Sequence, residues 1–129
     1  MSEKSIVEKI EIKSLKASSG TLSVFEKKIS FERAYWIEAV KGKKRGFHAH
    51  RNLSQIMFCV SGSIRVDLWN LSKEFQSIRL NCNSEAILIK PGIWREFYSL
   101  EKKSILMVLC DGIYDQKDYD YEETKYKIP

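Results

Sequence analysis

The stretch Gly46-Phe47-His48-Ala49-His50-Arg51-Asn52-Leu53-Ser54-Gln55-Ile56-Met57-Phe58-Cys59-Val60 decides how this chain reads. Strand side chains alternate between faces, so His48 and His50 point the same way, one pleat repeat apart. They are the only two histidines in the chain. A short polar break follows, and then a run that is apolar on both faces from Ile56 to Val60. A hydrogen-bonded pair of core histidines is the plain alternative. The concentration of both imidazoles in one His-x-His step, between a glycine turn and a buried strand, favours chemistry.

Outward from this stretch the pattern is short apolar or alternating runs separated by turn residues, which predicts an all-β sandwich or barrel. Strands are expected near Thr21 to Glu26, Phe31 to Ile37, Gly46 to His50, Gln55 to Val60, Ser63 to Trp69, Phe75 to Leu80, Ala86 to Ile89, Trp94 to Tyr98 and Ser104 to Cys110. Ser61-Gly62, Asn70, Asn81 to Ser84, Pro91-Gly92 and Asp111-Gly112 supply the reversals. Ile105 to Leu109 is again apolar on both faces. One face lines the interior and the other needs a second cover, which predicts a homodimer. The charged, tyrosine-rich tail 115–129 is expected to strap across the body.

At 129 residues the chain is one domain that must both bind and react. No apolar run approaches the ~20 residues of a membrane helix, and the N-terminus has no signal-peptide centre. A cytoplasmic protein without a membrane partner is expected. The 3 cysteines, Cys59, Cys82 and Cys110, are widely spaced, which argues against a disulfide framework or a zinc knuckle. The formal charge of +5 suits an anionic partner. Positive residues are scattered, with one short cluster at Lys41 to Arg45 that reads as a solvated loop. No recurring aromatic and basic pattern points to nucleic acid.

The spacing around the histidines resembles the first cupin motif, His-x-His followed by a carboxylate and then glycine. Gln55 stands at the carboxylate position and Gly62 matches. In Lys90-Pro91-Gly92-Ile93-Trp94-Arg95 the proline and glycine of the second motif are present, with Arg95 where metal-binding cupins place a third histidine. Arginine stays protonated and has no lone pair to give, so no metal and no other cofactor is expected. The histidines then become candidates for proton transfer, since imidazole titrates near neutrality.

Arg45-Gly-Phe-His-Ala-His50, Gln55, Pro91 to Glu96 and Val108 to Asp115 together resemble the sugar nucleotide 3,4-ketoisomerases. The resemblance implies a single cupin domain over 1–129, a double-stranded β-helix or jelly-roll barrel. It also implies a homodimer that can exchange its N-terminal strand, and a dTDP-linked substrate. The implied reaction moves the ketone of dTDP-4-keto-6-deoxyglucose from C4 to C3 through an enediol, ahead of amination in deoxyamino sugar synthesis.

His48 is the candidate base and His50 the candidate relay. Tyr35 and Arg33 share a strand face, so the phenol is a third catalytic candidate and Arg33 a substrate ligand. Gln55 and Arg95 are substrate ligands by motif, and Arg45 and Arg65 by charge. A 3,5-epimerase acting on the same keto sugar and a non-catalytic sugar-binding cupin are the rival readings. Nothing in the sequence selects the C4 configuration of the product.

Overall fold

Period-two alternation of apolar residues builds two antiparallel sheets whose apolar faces meet. The computed structural model describes residues 5–128. Its strands are β1 (Glu8–Glu11), β2 (Lys13–Ala17), β3 (Gly20–Val24), β4 (Arg33–Val40), β5 (Arg45–His50) and β6 (Gln55–Ser61). They continue as β7 (Ser63–Asn70), β8 (Phe75–Asn81), β9 (Glu85–Ile89), β10 (Ile93–Ser99), β11 (Lys103–Cys110) and β12 (Tyr119–Asp120). One sheet runs β1-β9-β6-β11-β4, the other β12-β5-β10-β7-β8, and β2-β3 is a separate hairpin. This is the jelly-roll barrel of the cupin type, with Met57, Cys59, Leu106 and Val108 of one sheet facing Ile64, Val66, Leu68 and Phe97 of the other. Each such burial contributes roughly 1.5–3 kcal/mol.

All of the expected strands are present with shifted ends, and β1, β2 and β12 are additions. Glu8–Glu11 buries only Ile10, and every residue of β2 is exposed, so neither carries an alternating apolar signal. Tyr119–Asp120 is too short to show one. The tail does cross the body, through 3-10 turns at Gln116–Asp118 and Glu123–Lys125 on either side of β12.

The two-sided apolar strands find part of their second cover within the chain itself. Ile12, Phe25 and Ile29 pack onto Ile56, Phe58 and Leu109, the outward residues of β6 and β11. What stays open on this sheet is a band with Trp36 69% exposed, Val40 50% and Val60 42%. The hairpin is open too, with Leu15 and Leu22 62% and 61% exposed.

Gly62 turns β6 into β7 at φ 85, where a Cβ would run into the side chain of Ser104. Cys59, Cys82 and Cys110 are all free thiols. Among the described residues no helix is long and apolar enough to cross a membrane.

Candidate active site

β5 carries the two histidines, and a bulge sets their frame. On β10, Arg95 pairs with His48 and the next residue, Glu96, pairs with Gly46, so Phe47 is an extra residue on β5. Phe47 takes φ 59 and Gly46 φ 97. A side chain at Gly46 would sit 2.7 Å from the Arg95 carbonyl oxygen, which only glycine avoids. Beyond the bulge the strand is regular, and both imidazoles face inward with ring centroids 4.9 Å apart and planes at 89°.

Each ring is held through Nδ1. The Nδ1–H of His48 donates to the Gly46 carbonyl at 3.0 Å. That of His50 donates to Asp118 Oδ2 at 2.6 Å. A carbonyl and a carboxylate only accept, so both rings carry their hydrogen on Nδ1 and present a bare Nε2 lone pair. His50 is fully buried, and its Nε2 has no hydrogen-bond partner among the described residues. Asp118 is itself fixed by the backbone N–H groups of Asn52 at 2.5 Å and Leu53 at 3.2 Å.

Arg95 fills the seat of a third metal ligand. It is fully buried, and Nη1 donates to Gln55 Oε1 at 2.5 Å and Nη2 to the Ile93 carbonyl at 2.9 Å. Gln55 passes the contact on: its Nε2 donates to the Tyr35 hydroxyl at 3.1 Å and lies 3.3 Å from Cys110 Sγ. The guanidinium of Arg33 lies 4.7 Å from the Tyr35 ring centroid. Cupins of this fold commonly hold a transition metal, but Arg95 has no lone pair to give and the Gln55 amide oxygen is already accepting from its guanidinium, so two of the four seats are not metal donors. The donor set does not fit a metal ion.

Burial and the Arg95 charge push both histidines down to about 4, for His50 despite the opposing Asp118 carboxylate. Burial also lowers Arg95 to about 10, which leaves it protonated at cellular pH. Burial raises Tyr35, so its phenol keeps its proton. Burial alone would raise Asp118, but the Asn52 N–H, His50 and the Leu53 N–H overcome it and hold the carboxyl below its ordinary value. At neutral pH the pocket therefore holds two neutral bases, the buried Arg95 cation with Arg33 beside Tyr35, and the protonated Tyr35 phenol.

His48, His50, Gln55, Arg95, Tyr35 and Arg33 thus come together. Arg45 and Arg65 do not. Arg65 alternates with buried Ile64 and Val66, so it faces outward and bonds Ser77 Oγ at 3.2 Å. Arg45 is exposed at the start of β5, the far end of the strand from His50. Strand parity turns Arg65 away from the imidazoles, and Arg45 lies at the other end of β5 from His50. Arg51 serves the strap, donating to the Lys117 carbonyl at 2.9 Å.

Two residues of the strap were not anticipated. Asp118 is one of several tail aspartates, and no spacing distinguishes it. Tyr119 pairs with His50 across β12 and β5, which puts its ring 4.7 Å from that of His50 and 4.8 Å from that of His48. A concavity of about 780 Å³ is at the opposite end of the barrel beside Gly62 and Glu101, away from all of these groups.

The family model described as "FdtA: WxcM-like, C-terminal" matches residues 5–128. The chain belongs to this family. A curated relative in Aneurinibacillus thermoaerophilus, a TDP-4-oxo-6-deoxy-alpha-D-glucose-3,4-oxoisomerase, is 32% identical over 123 residues, 92% of this chain and 88% of its own. The sugar 3,4-ketoisomerase QdtA of Thermoanaerobacterium thermosaccharolyticum, solved in complex with TDP, superposes with a TM-score of 0.83 at 32% identity, covering 92% of this chain and 90% of its own. WlaRA of Campylobacter jejuni, a TDP-fucose-3,4-ketoisomerase, gives 0.80 at 27% identity over 92% and 90%.

The depressed histidines make stability depend on pH. An unfolded histidine takes up a proton near 6.5, whereas the folded ones resist until about 4. The unfolded state binds more protons in that window, so stability is full above 6.5 and falls as pH drops toward 4. At pH 5 the loss is about 2 kcal/mol per histidine. Urea unfolding at pH 7 and pH 5 measures it, and His48→Asn is expected to remove about half of the histidine share. An imidazole NMR titration with both midpoints near 6.5 would contradict this account.

Proposed function

We propose that this pocket converts TDP-4-keto-6-deoxyglucose into the 3-keto isomer with histidines as the proton carriers. The observation that carries the reading is the set of buried polar atoms without partners. Among the described residues these are Arg33 Nη1, His50 Nε2 and Arg95 Nε. All belong to the residues gathered around the two imidazoles, and buried polar groups left unpaired are expensive unless a ligand completes them. A polar, anionic sugar derivative supplies what they lack.

The chemistry follows from the charge states. A neutral imidazole, assigned to His48 because it is the more accessible of the pair, takes the proton from C3. The C3–H electron pair forms a C3–C4 double bond, and the C4 carbonyl oxygen gains negative charge that Arg95 stabilises. The C3 hydroxyl loses its proton, through His50 or the Tyr35 phenol, as the C3 carbonyl forms. A proton then returns to C4. No electrons leave the substrate and no oxidant is required, which suits a pocket of bases and guanidinium cations.

The band with Trp36, Val40 and Val60 and the open β2-β3 hairpin support a homodimer in which the hairpins are exchanged between copies. Free thiols at Cys59, Cys82 and Cys110 fit a cytoplasmic setting.

Incubation with TDP-4-keto-6-deoxyglucose in heavy water is expected to move the ketone, with deuterium at C4 of the 3-keto product and at C3 of the 4-keto sugar re-formed by the back reaction. Exchange at C5 instead would make the enzyme a 3,5-epimerase. In the same assay His48→Asn, which keeps hydrogen bonding but loses basicity, is expected to lower kcat by about 10²-fold or more with TDP affinity retained. Near-normal turnover would reject His48 as the base.

Asp118→Asn presents an amide N–H to His50 Nδ1 and reverses the tautomer, so Nε2 gains a hydrogen. We expect kcat to fall about 10²-fold with KM little changed, whereas a merely structural role would raise KM and lower the melting temperature together. Sedimentation is expected to show a dimer at micromolar concentration that Trp36→Asp weakens. A wild-type monomer would exclude the dimer.

A further inference from the structure

The mechanism above leaves the aromatic side chains of the strap without a task. Tyr119 touches both catalytic imidazoles, with centroids 4.8 Å and 4.7 Å from His48 and His50. Tyr121 stacks beside it, nearly parallel at 17° with centroids 5.9 Å apart, and lies 6.3 Å from His48. Tyr121 is 65% exposed. The Tyr119 hydroxyl has no hydrogen-bond partner among the described residues, and it lies within electrostatic reach of both Tyr35 and Arg95.

From this arrangement we infer that Tyr119, extended by Tyr121, is the platform on which the hexose ring of the substrate lies, and so the residue that aligns C3 and C4 with the imidazoles. This rests on the ketoisomerase reading of the same pocket. Because the three rings adjoin, a sugar carbon in contact with His48 or His50 lies within one ring's breadth of Tyr119. A nucleobase lies beyond the whole hexose, the diphosphate and the ribose, too far out to be the group that meets this ring.

The chemistry of the surfaces agrees. The face of a phenol ring carries negative quadrupole charge, and the C–H bonds on the face of a hexose, together with the C6 methyl of a 6-deoxy sugar, present weakly positive hydrogens. A flat aromatic wall therefore orients the sugar without competing for its hydroxyl groups, which stay free for Arg33, Gln55 and Arg95. Register reinforces the point. Pairing of Tyr119 with His50 fixes the platform to the same strand that carries both bases.

The test separates the hexose from the nucleotide by calorimetry, using TDP and TDP-6-deoxyglucose, an analogue with no ketone that binds without reacting. In Tyr119→Ala, affinity for TDP-6-deoxyglucose is expected to fall about tenfold while affinity for TDP stays within about twofold. Tyr119→Phe keeps the ring and is expected to stay within about threefold for both. Tyr121→Ala, at an exposed position whose truncation does not threaten folding, is expected to lose about threefold for the sugar nucleotide alone.

Unchanged binding in both alanine variants would overturn the inference, as would an equal loss for TDP, which would make the wall a nucleobase site. A Tyr119→Phe loss as large as that of Tyr119→Ala would overturn it too, by assigning the effect to the hydroxyl. Failure of the wild type to isomerise the keto sugar while still binding TDP-6-deoxyglucose would count against the ketoisomerase reading alone.

Discussion

The constraint on which the site depends is a guanidinium sealed inside the barrel without a carboxylate against it. Arg95 is fully buried and leans on the neutral Gln55 and a backbone carbonyl. A charge in that position is tolerated because it is hydrogen-bonded on two sides, and its field is only partly cancelled by Asp118, which is spoken for by His50. Much of the remaining pocket follows. Burial and this field together keep both imidazoles neutral, and the field repels a metal cation from the cupin centre and favours negative charge on a bound sugar. One side chain thus sets the charge state in which the proposed proton transfers take place.

How far this was legible in the chain differs by residue. The His-x-His step, Gln55 and Arg95 were readable because motif spacing on regular strands translates directly into position. Tyr35 and Arg33 were half legible: shared parity put them on one face, but only the Gln55 contact shows that the face is the inner one. Arg65 was named for its charge, and its outward direction was readable from the apolar Ile64 and Val66 on either side. Asp118 and Tyr119 were out of reach, since Asp118 meets His50 across 68 positions of sequence in a segment with no periodic pattern.

The exposed hairpin and the strap show two different uses of irregular chain. β2-β3 buries almost nothing against its own barrel, so its leucines are left for another surface. The strap is held tightly. Trp94 Nε1 and Lys127 Nζ both donate to the buried Glu96 at 2.9 Å and 2.8 Å. The Tyr126 hydroxyl donates to Asp120 at 2.9 Å, and the Tyr126 ring packs on Trp94. These contacts lie on the outer face of the second sheet, so the anchorage of the strap and the reacting groups occupy opposite sides of β10.

That division makes the docking of the tail and the proton inventory of His50 a single linked equilibrium. While the strap is seated, His50 is dry and reluctant to accept a proton. Were the strap to lift, water would reach the ring and the imidazole would become an ordinary base. Thermodynamic reciprocity then requires that acid loosen the tail by as much as loosening the tail invites acid, so the latch at Glu96 governs a titration on the far side of the sheet.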